Sequence, residues 1–120
     1  MPGSTQLIAF SIPILEGKTE AFRRAQDRFV TQRRQEFEAS RARLGISGEQ
    51  GFLQHTPHGD LAIVVFEVED PMRMLSGTAS STAPIDTDFR QYLLEVFGLD
   101  LANAPAEAPS EQVFHWRQSA

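Results

Sequence analysis

The stretch EGKTEAFRRAQDRFVTQRRQEFEASRARL, Glu16 to Leu44, decides how this chain folds. No Pro or Gly falls between Lys18 and Leu44, and the body is rich in Ala, Arg, Gln and Glu, which suit a helix. Thr19 stands where a cap belongs, and Glu20 favours the positive end of the helix. Gly45 supplies a left-handed stop. The pattern predicts one helix over about 18–44. At 1.5 Å per residue it would run roughly 40 Å, longer than any strand beneath it, so part of it must project, kink or cover a partner.

At about 100° per residue, Phe22, Phe29, Ser40 and Leu44 share one face, with Ala25 and Phe37 at its edges. Arg33 falls near the middle of that apolar stripe, with Gln26 and Glu36 on its shoulders. Two readings stay open. Arg33 reaches water or pairs with Glu36 at i,i+3, or both groups face a cavity between helix and sheet. Seven Arg lie on this helix, interleaved with Glu and Asp, which reads as a solvated, ion-paired face.

Upstream, Gln6 to Ile14 alternates as a strand, with Ile8, Phe10, Ile12 and Ile14 on one face. Downstream, Gly48 to Thr56 is a second strand, with Phe52, Gln54 and Thr56 on one face and Leu53 and His55 on the other. Thr56-Pro57-His58-Gly59 is a turn signal. Asp60 to Val68 is a third strand, apolar on both faces and therefore central. Asp70-Pro71 starts a short helix over about Met72 to Leu75, which fades into the polar run Gly77 to Thr82. Asp86 is expected to cap a helix from about Thr87 to Phe97, closed by Gly98. A connector follows over about 102–110, and Glu111 to Arg117 alternates as a last strand, with Phe114 and Trp116 on one side.

The order β-α-β-β-α-β is the ferredoxin-like plan: a single α+β domain over 1–120, an antiparallel sheet with its helices on one face. The other face then stays apolar and open, and a symmetric homodimer packed sheet against sheet, a dimeric α+β barrel, would cover it. With its net charge of −5 and pI near 5.1, the chain is not expected to bind nucleic acid or an anionic membrane. It has no Cys, which removes disulfides and thiolate chemistry and fits a cytoplasmic location. No signal-like segment or membrane span is visible.

Four segments carry a resemblance: Arg33-Arg34-Gln35-Glu36-Phe37-Glu38, Phe52-Leu53-Gln54, Gly59-Asp60-Leu61 and Ser81-Thr82-Ala83-Pro84-Ile85-Asp86. With them the chain resembles the dimeric α+β barrel proteins, which include antibiotic-biosynthesis-type monooxygenases and polyketide cyclases. Within that group it is most similar to short bacterial proteins of unknown function. That family has a His before Pro-Ile-Asp where this chain has Ala83. The resemblance implies fold and dimerisation and no particular reaction.

No Gly-rich phosphate loop, serine elbow or zinc spacing is present. What remains is a pocket of aromatic and apolar groups with a few polar ones. Its expected walls are Phe10, Phe29, Phe37, Phe52, Phe66, Phe89, Tyr92 and Trp116, with Gln54 and Arg90 as polar lining. In one reading the chain is a cofactor-independent enzyme, cyclase-like or monooxygenase-like, acting on an aromatic or polyketide-like compound. Glu36 or His55 would be its base, and Arg33 and Gln54 would stabilise an oxyanion. In the other it is a non-catalytic dimer that binds a small molecule or a partner protein. A haem-binding variant would need His55 or His115 as axial ligand. His58 in the turn reads as solvated.

Overall fold

The Thr56–Gly59 turn closes a hairpin, and the sheet is built on it. In a computed structural model that describes residues 5–103 and 110–119, β2 (Ile46–Thr56) and β3 (Gly59–Val68) pair antiparallel across Pro57 and His58. The Thr56 hydroxyl accepts from the His58 N–H at 3.1 Å and donates to the Gly59 carbonyl at 2.6 Å, and Gly59 takes φ +120°, open to glycine alone. β1 (Gln6–Pro13) pairs antiparallel with the other side of β3, giving the order β1-β3-β2. The strand with two apolar faces is thus the central one. The fold is α+β, with a three-stranded antiparallel sheet and four α-helices among the described residues.

Register fixes the two sheet faces. Ile8, Phe10 and Ile12 of β1 oppose Phe66, Val64 and Ala62 of β3, which in turn oppose Glu49, Gly51 and Leu53 of β2. This face meets the helices. The other face carries Leu7, Ile63, Val65 and Phe52, and Leu7 and Phe52 are exposed.

The long helix forms, but in three parts: α1 (Thr19–Gln26), a π-helical stretch (Asp27–Gln32) and α2 (Arg34–Arg43). The Arg33 N–H donates to the Arg28 carbonyl, five residues back, at 3.0 Å. Phe29, Val30 and Thr31 lie in this wider turn, and all three are weak helix formers. A wider turn rotates less per residue, which brings Phe37 and Arg41 round toward the sheet. Thr19 is not the cap. Lys18 holds that position, and the Thr19 hydroxyl donates to Asp60 Oδ2 at 2.5 Å, fastening the helix start to the hairpin. Gly45, at φ +73°, ends α2 as expected.

Asp70 caps α3 (Pro71–Ser80), accepting from the N–H groups of Met72 and Arg73. The helix continues five residues past its expected end, through Gly77. A Cβ there would lie 2.7 Å from Leu44 Cδ2, so the glycine permits the close approach of α3 to the end of α2. α4 (Pro84–Phe97) starts three residues earlier than expected, with Ala83 as its cap, and ends at Gly98 in the left-handed region. Arginines close other helix ends: Arg73 Nη2 donates to the Arg43 carbonyl at 3.0 Å, and Arg90 Nη1 to the Thr78 carbonyl at 2.8 Å.

Among the described residues, the last strand of the ferredoxin-like order does not pair. Residues 110–119 carry no strand and are all exposed, so β1 is a sheet edge rather than an inner strand. Of the expected 102–110 connector, 104–109 lies outside the described residues, and a short 3₁₀ turn covers Leu101–Asn103. Among the described residues no helix is long and apolar enough to cross a membrane.

Candidate functional site

Two separate clusters make up the core. One joins Ile14, Phe22, Ala25, Phe29 and Ala62 to α4 through Ile85, Tyr92, Leu93, Val96 and Phe97. The other joins Ile8, Leu44, Ile46, Val68 and Met74. Between them lies a cavity of about 630 Å³, lined from both clusters. Its floor is the inner sheet face: Phe10, Ile12, Val64, Phe66, Leu53 and Gly51. Its roof is Phe22, Phe37, Met74, Phe89 and Tyr92. The hollow has a local cause. Gly51 occupies an inward position of β2, and a Cβ built there would meet nothing within 4 Å. The exposed lining residues Asp27, Val30, Thr31 and Phe52 mark the mouth, between the π-helical stretch and the β2 edge. The volume suits a small organic molecule, for which sites run about 300–1,000 Å³.

Polar groups enter this wall in a controlled way. Arg41 is buried at 8% exposure and binds Glu49 through two bonds, Nε to Oε1 at 2.8 Å and Nη2 to Oε2 at 3.2 Å. Its guanidinium lies 4.2 Å from the Phe37 ring centre and 5.0 Å from that of Phe89. Every such bond is charge-assisted and the fork is matched, the arrangement in which a buried arginine is tolerated. Tyr92 accepts from Gln26 Nε2 at 2.8 Å. Burial pushes its phenol pKa up, so the hydroxyl keeps its proton and can still donate it. Tyr92, Phe29 and Phe89 pack ring against ring, with Phe29 behind the wall.

A second polar cluster braces the roof. Asp86, 2% exposed, accepts from Ser40 at one oxygen, and from Ser81 at 2.5 Å and Arg43 at 3.0 Å at the other. Burial alone would raise its pKa. The bonds from Ser40, Ser81 and Arg43 together outweigh that and hold it below the usual range. Arg41 Nη1 also reaches Ser40 Oγ at 3.3 Å, which links this cluster to the cavity wall. Asp86 is therefore an interior hub between α2 and α4, not a helix cap. The Ser81 hydroxyl also accepts from the Ala83 N–H, so Ser-x-x-Pro-Ile-Asp folds as one unit at the start of α4.

No protein-family model matches this chain, and no curated protein matches it.

The expected site residues fall in different places. Phe37, Phe66 and Phe89 line the cavity and Phe52 stands at its mouth, as do Phe10 and Tyr92 in the wall. Phe29 is core behind them. Arg33 pairs with Glu36, Nη2 to Oε2 at 2.9 Å, and with Asp88 at 2.6 Å on the surface. The hydrogen bonds to Arg33 lower the Glu36 pKa, so this carboxylate is a weaker base than an ordinary one. Neither lines the cavity. His55 Nδ1 meets Asp60 Oδ1 at 2.7 Å beside the hairpin, well exposed, and the bonds from Thr19 and then His55 lower the Asp60 pKa. Gln54 lies on the outer sheet face, Arg90 is spent on the end of α3, and Trp116 and His115 sit on the exposed 110–119 segment. The structure thus does not bring Arg33, Glu36 and His55 together with the aromatic wall. Among the described residues no three His, Asp or Glu side chains gather as a metal site would need.

Arg41 and Glu49 were missed. Glu49 is within reach of the pattern, because it is in phase with Gly51 and Leu53, two and four residues along the same strand face. Arg41 is not, because on a regular helix it lies well away from the Phe22–Phe29 stripe.

Proposed function

We propose that this chain is a small-molecule-binding protein that takes a compact, largely apolar ring compound into the cavity between its helices and its sheet. One observation carries the reading: a cavity of about 630 Å³ walled by Phe10, Phe37, Phe66, Phe89 and Tyr92, in which the one buried charge pair, Arg41 with Glu49, is already satisfied. Such a wall favours ring faces over ionic groups, because a ligand charge would have to break a matched pair. Tyr92 and Gln26 would serve a single hydroxyl or carbonyl on the ligand. An aromatic or polyketide-like metabolite meets that description. The reading stops at binding, since Arg33, Glu36 and His55 lie outside the cavity lining.

In this reading the chain is a homodimer of the dimeric α+β barrel type, in the cytoplasm, packed through the outer sheet face. What supports the dimer is the exposure of Leu7 and Phe52 beside Ile63 and Val65 on that face.

The test is thermal unfolding with 2-naphthol as probe. A ligand at a hundred times its Kd stabilises by about 2.7 kcal/mol, so wild type should melt several degrees higher. Val64→Trp, which fills the floor of the cavity, should keep its fold and lose the shift. If wild type does not shift with 2-naphthol or related ring compounds, the proposal falls.

A further inference from the structure

Two apolar surfaces of this chain are left facing water at once. One is the outer sheet face, with Leu7, Phe52, Ile63 and Val65. The other is the 110–119 segment, where Val113 is 79%, Phe114 80% and Trp116 76% exposed. The segment begins beside the sheet edge: the Ala9 N–H of β1 donates to Ser110 Oγ at 3.2 Å. From there its large side chains stay largely exposed, although the sequence alternates as a strand would. A solvated Phe and Trp two residues apart, starting at a sheet edge, are a poor end state for one copy.

We infer that the 110–119 segment of each copy is an arm that crosses to a second copy and lays Phe114 and Trp116 on that copy's outer sheet face. This rests on the homodimer proposed above and assigns what closes it. Area favours a second copy as the occupant. Phe and Trp bury about 150–250 Å² each when covered. Two arms and the surface they cover therefore remove roughly 1,300 Å² from water, within the range of stable interfaces, about 1,200–2,000 Å². Face and arm belong to the same sequence, so a two-fold exchange satisfies both copies and closes without leaving a free end.

The chain carries its own reporter, because Trp116 is its only tryptophan. The experiment follows mass by light scattering and Trp116 emission together, across a dilution series of the full chain. The inference expects a dimer at high concentration whose Trp116 emits at shorter wavelength and is several-fold less quenched by acrylamide. Dilution should release monomer and expose the tryptophan over the same range. Phe114→Ser should shift the dimer–monomer midpoint to at least tenfold higher concentration with an unchanged circular dichroism spectrum. Val65→Glu, on the face, should do the same. A dimer whose Trp116 stays solvated, and which Phe114→Ser leaves intact, overturns the arm while the dimer stands. A monomer at every concentration with Trp116 solvated overturns the dimer and the arm with it. A monomer with Trp116 shielded shows the arm docking on its own chain and overturns the exchange.

Discussion

Removing the charge of Asp86 should loosen the roof of the cavity, and the size of the effect can be worked from its partners. In Asp86→Asn one oxygen can still accept from Ser40 or from Ser81, while the new amide faces groups that are themselves donors. Hydrogen bonds to a charged group contribute about 1.5–3 kcal/mol each. The ion pair with Arg43, which is half exposed, adds less than about 1 kcal/mol. The net loss should be about 3 kcal/mol, because Ser40 is fully buried and has no water to turn to. For a chain of this length that is roughly 10 °C in melting temperature. The pH dependence carries a sign. Asp86 has its pKa lowered on folding, so its contribution is complete above the unfolded value of about 3.9. It is lost as pH falls through the lower folded value. Urea unfolding of wild type and Asp86→Asn from pH 7 to pH 2.5 measures this directly. The gap between them should hold near 3 kcal/mol down to about pH 4 and then narrow. A gap below about 1 kcal/mol at pH 7, or one that keeps its size through the acid range, would refute an ionised, hydrogen-bonded hub.

Other perturbations separate wall from surface. Arg41→Met should destabilise by about 3 kcal/mol, because it strands Glu49 in a partly buried site, and Arg41→Met with Glu49→Leu should recover most of the loss in a double-mutant cycle. Gln26→Leu should leave stability nearly unchanged and weaken 2-naphthol binding by about tenfold in calorimetry, the value of one hydrogen bond. Arg33→Ala should change neither the melting temperature beyond experimental scatter nor the binding of 2-naphthol, since its partners Glu36 and Asp88 are solvated. Gly77→Leu should cost about 1–3 kcal/mol through overpacking against Leu44, read from denaturant midpoints.

The elements legible in the sequence are those fixed by local chemistry. The Thr56–Gly59 turn, the Asp70-Pro71 start and the stops at Gly45 and Gly98 each have a reason that lies within four residues, and all four form. The alternation of Ile8, Phe10 and Ile12 gave the inner face of β1, and the two-sided apolar run of β3 gave its central place. Where a distant partner decides, the reading failed. Asp86 looks like a helix cap until Ser40, forty-six positions away, reaches it. Gly77 looks like a helix end until Leu44 is seen against it. The π-helical stretch moved the inward charge from Arg33 to Arg41, and with it the polar part of the cavity wall. A sum of helix propensities does not locate such a turn, because one extra residue per turn changes the phase of everything after it. Glu111 to Arg117 has the pattern of a strand, but pairing needs an edge in the right place as well as a pattern.

The most direct test of the central claim is a nuclear Overhauser measurement on the chain with 2-naphthol bound. Tyr92 is the only tyrosine, and both it and Val64 line the cavity. The account predicts transfer from the naphthol ring protons to the Tyr92 ring and the Val64 methyl groups, abolished in Val64→Trp. Transfer only to Leu7, Ile63 or other outer-face groups away from the cavity, with Tyr92 and Val64 silent, would contradict it.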